Sequence, residues 1–104
     1  MEYVLIYITA KDAEEAERIG DTLVSEKLAA CANVLACMKS FYEWKGKRVC
    51  DSEVPLFLKT KKSLVQDVIK RVKEMHSYDV PCVIALPILD GNPDYLKWLG
   101  ENTK

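Results

Sequence analysis

Two rhythms of apolar residues alternate along the chain. Residues 2–10 (EYVLIYITA) are β-branched or aromatic on both faces, which suits a central buried strand. Asp12 followed by Glu15 then marks a helix start with acid in its first turn. This helix should run to about Lys27, with Ala13, Ala16, Ile19, Leu23 and Val24 near one face. Gly20 lies inside it, at about 1 kcal/mol relative to alanine. Close packing against a sheet is its expected reason. Residues 31–44 read as one long strand and 49–61 as another, with Val54, Leu56 and Leu58 alternating against Glu53, Phe57 and Lys59. Trp44-Lys45-Gly46-Lys47 between them reads as a hairpin turn. Ser63 is the expected cap of a second helix, whose Leu64, Val65, Val68, Ile69, Val72 and Met75 form a 3.6-residue stripe. Residues 81–89 (PCVIALPIL) give a fourth strand, and Pro87 places an edge or a bulge there. Asp90-Gly91-Asn92-Pro93 is turn, cap and first-turn proline for a short last helix carrying Tyr95, Leu96, Trp98 and Leu99.

The order β-α-β-β-α-β plus a terminal helix closes most simply as a ferredoxin-like α+β sandwich. It has a four-stranded antiparallel sheet, two helices on one face and a long hairpin between the second and third strands. Its 104 residues make one domain, 1–104, rather than two. Two helices cover one face only, so the other leaves an apolar and aromatic patch that asks for assembly. The hydrophobic content of 49% agrees with that demand.

Net charge is −1, so the basic footprint of a nucleic-acid binder is absent. The apolar runs are too short to span a bilayer, and the first residues lack the layout of a signal peptide, which predicts a cytoplasmic protein and no membrane partner. Cys31, Cys37, Cys50 and Cys82 form no C-x-x-C pair. They read as free thiols, although Cys31 and Cys37 share parity on the predicted long strand, with Cys50 on its partner, and a disulfide remains an alternative.

The chemistry concentrates in Met75-His76-Ser77-Tyr78-Asp79-Val80-Pro81, where a helix pattern gives way to a strand pattern. His76 reads as a helix-end hydrogen-bonding group, a metal ligand or a proton-transfer group, and Met75, Asp79 and Cys82 are the nearest further ligands in sequence. Phe41, Tyr42 and Trp44 cluster near the hairpin tip and read as cross-strand packing or subunit contact. Lys59, Lys61 and Lys62 form a basic edge at the second helix's start, either solvated or an anion site. Glu53 and Lys59 share parity and would be a charged pair facing one cleft. No serine-histidine-acid set, P-loop or dinucleotide glycine fingerprint occurs.

Several blocks, in this order, resemble the divalent-cation tolerance (CutA) family over essentially the whole length. They are Glu26-Lys27-Leu28-Ala29-Ala30-Cys31-Ala32-Asn33, Tyr42-Glu43-Trp44-Lys45-Gly46, Glu53, Leu58-Lys59-Thr60, His76-Ser77-Tyr78-Asp79-Val80-Pro81 and Tyr95-Leu96-Lys97-Trp98. The resemblance implies the same ferredoxin-like fold, a tight homotrimer with hairpins reaching into neighbours, and tolerance to divalent cations, chiefly copper. It also implies a polar ligand pocket near a subunit boundary from Cys31, Trp44, Glu53, Lys59, His76 and Tyr78. Ser77 stands where the family usually has proline. Met75 and Ile8 stand where some members carry a histidine and a cysteine suited to copper. His76, with Asp79, is then the metal candidate, and the implied binding is weak and nonessential. The expected function is a trimeric, non-enzymatic metal-response protein. The alternatives are a trimeric sensor of the PII type, holding a small anion or metabolite between subunits with Lys59 at its anion end, and an enzyme using His76 with Glu53 or Asp79.

Overall fold

A computed structural model describes residues 1–104. The elements are β1 (Tyr3–Ala10), α1 (Ala13–Ser25), β2 (Cys31–Val34), β3 (Met38–Trp44), β4 (Lys47–Lys61), α2 (Val65–Met75), β5 (Val83–Pro87) and α3 (Pro93–Glu101). Every strand pairing is antiparallel, in the order β2-β4-β1-β5, with β3 pairing β4 beyond β2. This is the ferredoxin-like α+β sandwich that the pattern predicts. Pro87 ends the edge strand β5, where its missing N–H interrupts no ladder. The hairpin turn places Lys45 at φ 51° and Gly46 at φ 78°, the two left-handed positions that match the twist of tight hairpins.

The expected strand 31–44 is two strands. Val34 pairs with Leu56 and Met38 with Glu53, so four steps on one side oppose three on the other. One extra residue is therefore inserted, a β-bulge. Leu35 donates its N–H to the Pro55 carbonyl, while Pro55 has no N–H to return to the ladder. The bulge reverses parity. Ala32, paired with the buried Leu58, belongs to the helix-covered side, yet Tyr42 and Trp44 are brought to the opposite side with Glu53. It also removes the shared parity of Cys31 and Cys37, and all four cysteines are free.

Three helix details also differ from expectation. Helix α1 ends at Ser25, because Lys27 takes φ 63° and Leu28 and Ala29 both donate N–H groups to the Leu23 carbonyl. Ser63 does not cap α2. It sits in a 3-10 turn over Lys62–Leu64 and the helix begins at Val65 without a side-chain cap. Asp12 does cap α1, accepting the Glu15 N–H at 2.9 Å.

The core lies between the sheet and α1 and α2: Ile6, Ile8, Ile19, Leu23, Leu56, Leu58, Val68 and Val72 are fully buried there. Gly20 meets this core at close range. A Cβ built on it would stand 3.0 Å from the Ala32 Cβ, an atom no rotamer can move. Gly20→Val should therefore destabilise by about 1–3 kcal/mol in equilibrium unfolding; a neutral result would mean that α1 slides freely on β2.

On the other side of the sheet, α3 covers one end. Lys59 lies over the Tyr95 ring at 5.5 Å, and Lys61 donates to the Thr103 and Lys104 carbonyls. The remainder carries Leu5, Tyr7, Phe57, Ile84 and Leu86, with Ile84 53% and Leu86 44% exposed. No helix is long and apolar enough to cross a membrane.

Candidate functional site

At the uncovered end of that face, β3 and the turn between α2 and β5 enclose a cavity of about 330 Å³. Thr9, Tyr42, Trp44, Glu53, Tyr78, Asp79, Val80 and Cys82 line it. Each arrives for a structural reason. Glu53 lies opposite Met38 at the base of the hairpin, and Thr9 opposite Pro55 at the end of β1. Tyr42 and Trp44 reach the cavity through the bulge.

The turn is held from behind. His76 ends α2 with its side chain fully buried. Its Nδ1 accepts the Tyr78 N–H at 3.1 Å, and its Nε2 lies 2.8 Å from the Thr9 carbonyl oxygen. An imidazole with bare Nδ1 and protonated Nε2 satisfies both contacts. The ring also packs on Tyr78, with centroids 4.7 Å apart. Glu15, whose side chain is fully buried, accepts the Lys11 N–H at 3.0 Å and the Ser77 N–H at 2.9 Å. The serine at position 77 thus supplies a donor that a proline would lack. Burial alone would raise the Glu15 pKa. The N–H groups of Lys11 and Ser77, the Ser77 side chain and the nearby imidazole outweigh it and hold the carboxyl below its usual range.

Within the cavity, Glu53 is 7% exposed. Its Oε2 accepts the Tyr78 O–H at 2.9 Å, whereas Oε1 has no protein partner and keeps contact with the cavity. Burial first, and then this bond, raise the Tyr78 pKa, so its hydroxyl stays protonated. Tyr42 donates to Asp51 Oδ2 at 2.6 Å, and that bond pushes its phenol up to about 12. Burial, then the Glu53 charge, raise the Cys82 thiol against a lowering contact from Thr9. A raised thiol is a poor nucleophile and a poor soft ligand at neutral pH.

The structure therefore brings together Trp44, Glu53, Tyr78 and Asp79, and sets His76 directly behind them. It leaves Cys31 and Lys59 elsewhere in the chain, paired with each other across β2 and β4. Glu53 and Lys59 are separated by about 20 Å of straight strand, so they are no ion pair within one chain. Sequence reasoning missed Thr9, Val80 and Cys82 as cavity walls, and read Tyr42 as packing. Parity with Trp44 was the available signal for Tyr42. Glu15 was read only as a helix-start acid; nothing local announces its bond to Ser77, 62 residues away.

No three His, Cys, Asp or Glu side chains converge as a closed metal site. Both His76 nitrogens are engaged, so a metal there would have to displace one of these contacts. Glu53 and Asp79 are the oxygen donors that line the cavity.

An antiparallel ferredoxin-like sheet with an extended hairpin is the architecture of a known class. The CutA1 divalent ion tolerance protein pattern matches residues 4–102. The chain is 46% identical over 101 residues to the divalent-cation tolerance protein CutA of Pyrococcus horikoshii, spanning 97% of this chain and 98% of that one. It is 43% identical over 101 residues to the chloroplastic protein CutA of Arabidopsis thaliana, covering 97% of this chain but 56% of that relative's length. The solved structure of the periplasmic divalent cation tolerance protein CutA of Archaeoglobus fulgidus superposes with a TM-score of 0.95 at 42% identity, over 98% of this chain and 99% of that one. This chain belongs to the CutA1 divalent ion tolerance family.

Proposed function

We propose that residues 1–104 act as one CutA-like domain, assembled as a cytoplasmic homotrimer, which binds copper or another divalent cation weakly and catalyses no reaction. The observation that carries this reading is the pair of carboxylates on one cavity, Glu53 with an unpartnered oxygen and Asp79 exposed, without a third ligand to close a cage. A divalent ion on two carboxylates keeps water in its remaining positions, and its affinity is low for the same reason. Membership of a divalent-ion tolerance family supports it, as does the apolar sheet face, which a threefold assembly would cover. His76 supports the cavity in this reading and becomes a ligand only by giving up the Tyr78 N–H or the Thr9 carbonyl.

Calorimetric titration with Cu(II) is the test. Binding should be too weak to be stoichiometric at micromolar protein and should fall further in Glu53→Gln with Asp79→Asn. If the double variant binds normally while folded His76→Ala does not, the ion sits on the imidazole instead. A second reading, a PII-type sensor of a small anion, is favoured by one fact: Lys59 has a ring beneath it but makes no ion pair within the chain. Phosphate-bearing nucleotides binding in the same titration, and lost in Lys59→Ala, would establish it.

A further inference from the structure

We infer that the cavity between the hairpin and the 78–82 turn is a binding site for a small organic cation of the alkylammonium class. Three rings line it, those of Tyr42, Trp44 and Tyr78. Both tyrosine hydroxyls are already engaged, Tyr42 with Asp51 and Tyr78 with Glu53, so these residues offer ring rather than donor to an occupant. Aromatic walls attract a cation that has lost part of its water, and tryptophan does so best. The lining also holds two carboxylates, Glu53 and Asp79, and no lysine, arginine or histidine. These carboxylates disfavour an anion and favour a cation in the cavity.

Glu53 supplies the point of attachment. The residue is only 7% exposed, one oxygen is committed to Tyr78, and the other makes no hydrogen bond within the chain and stays open to the cavity. A carboxylate with one oxygen turned to the cavity attracts a cation at that position. At about 330 Å³ the cavity has room for an alkylammonium head group. The rings favour this class over a bare metal ion, because they supply a cation-attracting face and no metal-ligating atom. The inference does not rest on the divalent-ion reading. Both readings use the two carboxylates, but only this one uses the rings, so titration with Cu(II) and with an alkylammonium ion can fail separately.

The experiment compares tetramethylammonium chloride with tert-butanol, a neutral molecule of similar shape, and with sodium chloride at equal ionic strength. The readout is Trp44 emission in the whole chain carrying Trp98→Phe, which leaves one tryptophan. Tetramethylammonium should give a saturable change that neither control gives. Its affinity should fall about tenfold in Glu53→Gln, where the amide oxygen can still accept from Tyr78. Asp79→Asn, at an exposed position, should weaken it in the same direction and guards against a folding defect at residue 53. Equal responses to tetramethylammonium and tert-butanol, no saturation, or affinity unchanged in both carboxamide variants would overturn the inference.

Discussion

Glu15→Ala should destabilise the protein by about 2–3 kcal/mol, from two N–H groups left without their acceptor. Those groups, on Lys11 and Ser77, belong to the start of α1 and to the turn after α2, so a single carboxylate ties two distant segments together. Urea unfolding at neutral pH measures the loss. The sign of its pH dependence follows from the lowered pKa of this group. A carboxyl whose pKa is depressed by folding contributes stability above its unfolded value of about 4.3, and that contribution disappears as pH falls through the folded value. The gap between the native chain and Glu15→Gln should therefore be widest near neutrality and shrink in acid. A gap that stays constant with pH would show that shape, not charge, matters at this position.

Placing Ile84→Lys and Leu86→Lys together should dissolve the proposed trimer. Light scattering at micromolar concentration should give about three times 11.8 kDa for the native chain and one times that mass for the variant. Both positions lie on the uncovered side of the edge strand and both are substantially exposed in the single chain, so neither substitution disturbs the core. In an assembly they would bury two charges without partners, at several kcal/mol each. A melting temperature that rises with protein concentration for the native chain, and not for the variant, is the companion result. A native chain that scatters as a monomer would remove the assembly and with it any site shared between subunits.

The helices and the inner strands were legible because period and burial coincide there. Leu64, Val65, Val68, Val72 and Met75 of the predicted stripe and the alternation Val54, Leu56, Leu58 face the same core, while Ile69 lies outside it. The bulge at residues 35–37 was not legible, since Leu35, Ala36 and Cys37 carry no glycine or proline; its cause is Pro55 on the opposing strand. That one inserted residue accounts for the false parity of Cys31 and Cys37. Part of the site was legible as a block, from His76 to Asp79. Lys59 and Cys31 share a sheet face with Glu53, but a strand is long, and being on one face is not being in one place. The roles of Glu15 and Thr9 rest on contacts across more than 60 residues, 62 to Ser77 and 67 to His76, which no local pattern encodes.

Those two long-range contacts also set an order of events. The β3–β4 hairpin closes around Lys45 and Gly46 through neighbours in sequence, a step that takes microseconds in isolated hairpins. The turn carrying Tyr78 can dock only after most of the chain has been brought round, since its anchors are Thr9 and Glu15. The two walls of the cavity should thus form at opposite ends of folding, the aromatic arm early and the tyrosine turn late. In pulse-labelling hydrogen exchange, the Ser77 and Tyr78 amides should gain protection after those of β3. Until that turn docks the cavity has one wall and cannot retain a guest.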